Sequence, residues 1–103
     1  MHGLIADKKE ELERICVKYR VHRFELFGSA AGDDFDTDAS DLDFLVEFIE
    51  MSPGEHAAAY FGLLEALQVL FNRKVDLVEP RAVRNPYFLQ AIKSTRILLY
   101  VAA

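Results

Sequence analysis

Cysteine, cationic side chains and long apolar runs are all scarce in this sequence, and each scarcity removes a class of protein. Cys16 is the only cysteine in 103 residues, so no disulfide framework can form within the chain. A reducing compartment, the cytoplasm, is the expected setting. Lys and Arg number 12 against 17 Asp and Glu, for a formal charge of -5. A surface that grips a long phosphate backbone needs clustered cations, so long nucleic acid is not the expected partner. The opening stretch "MHGLIADKKEEL" carries charge at once and holds no long apolar run, which fits neither a signal peptide nor a membrane span. His2, His22 and His56 are scattered, without the H-x-x-x-H or Cys/His spacing of a zinc site. The length suits one modest core and is too short for two, so a single domain over residues 1–103 is expected. Apolar residues make up 51% of the chain, a slightly greasy balance that leaves room for a partner-facing patch.

What is present alternates between helical and strand patterns. Ile5, Leu12, Ile15, Cys16 and Tyr19 fall on one face of a helix over residues 4–20. "RFELF" then alternates as a strand, and Gly28-Ser29 ends it, because glycine permits the tight turn at a strand-to-helix junction. Residues 29–33 have room for a short helical turn. "LDFLVEF" reads as a second, central strand. Ser52 is an N-cap candidate, with Pro53 at the first helical position and Glu55 closing a capping box. The helix that follows is apolar on most sides from Ala57 to Phe71, so it either lies sandwiched against the sheet or meets another protein in part. Asn72 is its stop signal. "KVDLVEP" is a third strand ended by Pro80, Asn85-Pro86 starts a short helix to about Lys93, and "RILLYV" is a fourth strand. The predicted architecture is α/β (α+β), a small mixed sheet flanked by helices.

The chemistry concentrates in "LFGSAAGDDFDTDASDLDFLVEF", residues 26–48, where six aspartates lie between two apolar runs. Carboxylates crowded this closely repel one another unless they face water or share a cation. In a strand, Asp41 and Asp43 share one face while Leu42, Phe44 and Val46 take the other. Their Cα atoms are then roughly 6 to 7 Å apart, close enough for two carboxylates to converge on one or two divalent cations. A hard ion such as Mg²⁺ takes oxygen ligands and keeps several water and phosphate oxygens, so two or three protein carboxylates suffice. Asp76, between Val75 and Leu77, is the third candidate; an adjacent strand would bring it beside the pair, to ligate metal and accept the proton of an attacking hydroxyl. Gly28 and Ser29 are candidate phosphate binders, since a glycine turn into a helical N-terminus presents free N–H groups to an anion.

"FGSAAG", then "SDLDFLV", then "VDLVEP" resemble the minimal nucleotidyltransferases of the DNA polymerase beta-like superfamily, marked by G-S, D-x-D and a later acidic residue. The resemblance implies that superfamily's fold and transfer of a nucleoside monophosphate from a triphosphate such as ATP, with two Mg²⁺ ions. It implies Asp41, Asp43 and Asp76 as catalytic metal ligands and Gly28 and Ser29 as phosphate binders. It further implies a helical HEPN-type partner, with this chain as the antitoxin that adenylylates a toxin hydroxyl, in a homo- or hetero-oligomer. Where many relatives read G-S-R-A-R-G, this chain has Ala30 and Gly32 in place of the arginines. Asp33, Asp34, Asp36 and Asp38 add negative charge nearby, which works against triphosphate binding unless cations offset it. Arg81, Arg84, Lys93 and Arg96 are the cations left to do so.

Three other readings compete. Asp36, Asp38, Ser40 and Glu47 match positions 1, 3, 5 and 12 of an EF-hand loop, but Asp41 occupies the position that needs glycine, and a strand follows where a helix is required. A binding subunit of the same fold would neutralise its partner by contact alone; the lost arginines favour it and the retained aspartates oppose it. A nucleotidyltransferase for a small hydroxylated molecule fits the aspartates equally well, though such enzymes usually hold the acceptor with a second domain.

Overall fold

The computed structural model describes residues 3–28, 41–83, 85–91 and 96–103. The first amphipathic stretch forms two helices, α1 (Gly3–Ala6) and α2 (Lys9–Lys18), where the periodicity predicts one. Lys8 N–H bonds the Ile5 carbonyl three residues back, which tightens the chain at the break, and Leu12 N–H restarts the ladder from Lys8. Ile5 and Leu12 are both buried across that break. Arg20, at φ 60°, turns the chain into β1 (Val21–Phe27), which begins two residues before the expected strand.

β2 (Leu42–Phe48) and α3 (Pro53–Phe71) have the expected bounds. Ser52 Oγ accepts the Glu55 N–H at 3.4 Å and donates to the Glu55 carboxylate at 2.7 Å, and Asn72 ends the helix in the left-handed region. The chain continues through β3 (Val75–Val78), a 3₁₀ turn at Pro80–Ala82, α4 (Pro86–Ala91) and β4 (Ile97–Val101). The expected turn over 29–33 and the end of the helix at Lys93 lie outside the described residues.

The sheet order is β3-β2-β1-β4, with β1 antiparallel to β2 and β4, and β2 parallel to β3. This is the mixed sheet the sequence predicts. On one face Phe24, Leu26, Leu42, Phe44 and Val46 pack against Leu12 and Cys16 of α2 and Leu63, Leu67 and Phe71 of α3. Phe24 and Phe44 stack at 4.7 Å between ring centroids. Each such side chain contributes about 1.5–3 kcal/mol by leaving water. Burial, then the charge of Glu13, pushes the Cys16 thiol up to about 12, so it serves as a small hydrophobe.

α3 buries only one stripe, Ala59, Leu63, Leu67 and Phe71, while Phe61 and Val69 are 65% and 76% exposed. It packs on one side of the sheet and is not enclosed. On the opposite sheet face, α4 sets Phe88 edge-on to Phe27 at 5.9 Å between centroids. No helix among the described residues is long and apolar enough to cross a membrane.

Candidate active site

The second sheet face is where the acidic residues gather. Registry fixes this: Leu26 pairs with Phe44 on the core side, so Phe27 and its partner Asp43 point the other way. The parallel pairing of β2 with β3 sets Asp43 directly across from Asp76, with core-facing Leu42–Val75 and Phe44–Leu77 pairs on either side. Neighbouring strands are about 4.8 Å apart, so the two carboxyl groups meet. Asp41 immediately precedes β2, half-buried, on Asp43's side of the pleat. The structure thus brings together the three aspartates that the sequence singles out.

Gly28 completes the cluster. It follows Phe27 with φ +76°, in the left-handed region that favours glycine. A Cβ there would run into the Asp43 carboxylate. Glycine is needed both for the turn and for this close approach. Ser29, the other expected phosphate binder, lies outside the described residues, as do Asp33, Asp34, Asp36, Asp38, Arg84 and Lys93.

The Asp43 carboxyl is pushed up from 3.8 to about 6, first by burial, then by its hydrogen bond with Asp76 and the charges of Asp76 and Asp41. Negative charge at this joint is therefore in excess, the condition that a bound cation relieves. Among the described residues no group of three or more His, Cys, Asp or Glu side chains is placed to hold a metal ion, so the aspartates as they stand offer an incomplete, open set of oxygen ligands. An open, all-oxygen site of this kind fits Mg²⁺, which retains water and phosphate oxygens, and does not fit zinc.

A further acidic residue on this face, Glu25, has the opposite environment. It is only 5% exposed. Arg96 Nε donates to its Oε2 at 2.9 Å and Nη2 to its Oε1 at 2.7 Å, while Arg23 Nε donates to Oε1 at 3.0 Å. The Arg96 hydrogen bond, opposed by burial and aided by Arg23, holds Glu25 below the usual carboxylate range. Arg96 is thus engaged with Glu25. Sequence reasoning passed over Glu25. Its signal is an acidic residue in the middle of "RFELF", two positions before Phe27 and so on the aspartate face.

The model of the nucleotidyltransferase domain family matches residues 8–99. The chain belongs to that family. Two proteins of Methanocaldococcus jannaschii, both provisionally assigned as protein adenylyltransferases, are 37% and 39% identical to this nucleotidyltransferase over 84 residues, 82% of this chain and 80% of each relative. Among solved structures, one described provisionally as a minimal nucleotidyltransferase superposes with a TM-score of 0.71 at 28% identity, covering 90% of both chains. A toxin–antitoxin structure with AMP-PNP gives 0.67 at 20% identity, over 91% of this chain and 73% of that one, a likeness of fold. The polymerase beta-like nucleotidyltransferase architecture expected from the sequence is the one observed.

Proposed function

We propose that this nucleotidyltransferase transfers AMP from ATP to a hydroxyl on a partner protein. The observation that carries the reading is the joint at Asp43 and Asp76, where two carboxylates share a strand register with Asp41 and Gly28 alongside. Its support on the protein-acceptor side is the assignment of the two archaeal relatives as protein adenylyltransferases.

Asp41, Asp43 and Asp76 would hold Mg²⁺, two ions in the full site; when bound, these neutralise the phosphates and the developing charge. Gly28 leaves the backbone open at the start of the turn, and with Ser29 it would receive the triphosphate. The acceptor oxygen bonds to the α-phosphorus as the bond to pyrophosphate breaks, and Asp76 takes the hydroxyl proton. A HEPN-type helical toxin is the proposed acceptor, with this chain as antitoxin, because a structure similar in fold is a tri-AMPylated HEPN toxin from Shewanella oneidensis in complex with its MNT antitoxin.

The test is to incubate the chain with ATP, Mg²⁺ and the product of the adjacent gene, then weigh that product. A gain of one or more AMP units is expected, and an unchanged mass overturns the reading. Ala30 and Gly32, together with an Arg96 already bound to Glu25, favour a second reading in which the chain neutralises its partner by contact alone. Full neutralisation by Asp43→Asn, with no AMP added, would select it.

A further inference from the structure

An edge strand leaves a row of backbone donors and acceptors without a partner strand. Among the described residues β3, four residues long, lies at the edge of the sheet and pairs with β2 alone, yet it carries Asp76. The Leu42 N–H bonds the Lys74 carbonyl, so backbone groups at 74 and 76 turn toward β2. Those of Val75 and Leu77 therefore turn outward.

Two of these four outward groups are met by side chains of α3. Tyr60 Oη donates to the Leu77 carbonyl at 2.6 Å, and Gln68 Oε1 accepts the Val75 N–H over a longer 3.5 Å. One turn before Tyr60, His56 Nε2 meets the Glu79 carboxylate at 2.5 Å. His56 and Tyr60 lie four residues apart on one side of the helix, and Gln68 lies eight residues beyond Tyr60. Four helical residues advance about 6 Å and two strand residues about 6.6 Å, so His56 and Tyr60 keep step with Glu79 and Leu77, while Gln68, about 12 Å beyond Tyr60, reaches Val75 only through its longer bond. Burial, then the charges of Glu79 and Asp76, hold the Tyr60 phenol above its ordinary range, which keeps it a donor.

We propose that Tyr60 is a positioning residue for Asp76: with Gln68, it takes the place of a neighbouring strand and holds β3 in the register that sets Asp76 beside Asp43. The inference rests on the reading of Asp76 as part of the site. It predicts that Tyr60→Phe, which removes one hydroxyl, acts through Asp76 and not through the core.

The test combines amide hydrogen exchange of the metal-free chain with titration by Mn²⁺ alone. In Tyr60→Phe, the amides of Val75, Asp76 and Leu77 should exchange roughly tenfold faster while those of β1 keep their rates. Mn²⁺ affinity should fall roughly tenfold. In an Asp76→Asn background, Tyr60→Phe should cause no further loss of affinity. Gln68→Leu should repeat the pattern more weakly and supplies the measurement if Tyr60→Phe does not fold. Wild-type exchange in β3, or an equal loss of Mn²⁺ affinity with and without Asp76, would overturn the proposal. If Asp76→Asn itself leaves Mn²⁺ binding intact while Tyr60→Phe still loosens β3, the functional reading of Asp76 fails, positioning fails with it, and only an edge clamp remains.

Discussion

Two joints on one face of the sheet handle charge in opposite ways. At the β2–β3 joint Asp43 faces Asp76 with Asp41 close by, and burial and like charge push the Asp43 carboxyl up to about 6. Between β1 and the start of β4, Glu25 is clasped by Arg96 and Arg23 and held below its ordinary range. One joint is a matched ion pair that ties strands together. The other is mismatched, and its excess negative charge disfavours the fold, a cost that a bound cation would relieve.

The largest expected effect comes from breaking the mismatched joint. Asp43→Asn should keep the fold and lower AMP transfer by roughly 10² or more, read by mass spectrometry of the acceptor; wild-type transfer would place the chemistry elsewhere. Breaking the matched joint should do the reverse. Glu25→Ala removes the partner of two arginines that water can still reach and should cost about 1–2 kcal/mol in urea unfolding, with transfer by the folded fraction retained.

Gly28→Ala sharpens the contrast because it touches the mismatched joint through the backbone. A side chain at φ +76° that also presses on Asp43 should cost about 1–2 kcal/mol and reduce transfer as well. Loss of stability with full transfer would show that Gly28 serves the turn alone.

The smallest effect, a few degrees in melting temperature, lies in pH dependence, and the two acids carry opposite signs. Asp43 binds its proton more tightly in the folded chain than in the unfolded one, so metal-free stability should fall as pH rises from 3.8 to about 6. Asp43→Asn should remove that slope and, without Mg²⁺, melt higher than the wild type. Glu25, lowered from 4.5, contributes stability that is present above that value and lost as pH falls through its folded-state value. Glu25→Gln should flatten only this acid limb. A common response of both variants would mean that the two joints are not electrostatically distinct.

Local signals were read best where the physics is local. Ser52, Pro53, Glu55 and Asn72 bound α3 as their types predict, because capping involves atoms within a turn of each other. The same holds for Asp41 and Asp43, whose shared side follows from the two-residue period of a strand. Other features escaped for lack of a local signal. The break between Ala6 and Lys9 places Ile5 and Leu12 in one core and leaves no glycine or proline to mark it. Arg96 reads as a free cation in sequence, but its partner Glu25 is 71 positions away. Tyr60 reads as one more apolar residue of α3, and its role at the β3 edge depends on which strand the helix overhangs.

The amino-acid order alone determined the strands and main helix, the acidic pair on one side of β2 and the glycine that ends β1, since each follows from backbone sterics and short periodicities. Only the tertiary structure decided that Asp76 stands beside Asp43, that Arg96 belongs to Glu25 and that Tyr60 holds the edge of β3. Those outcomes depend on which strands become neighbours and in what register, which is settled by burying Phe24, Phe44, Leu63 and their neighbours together in one core.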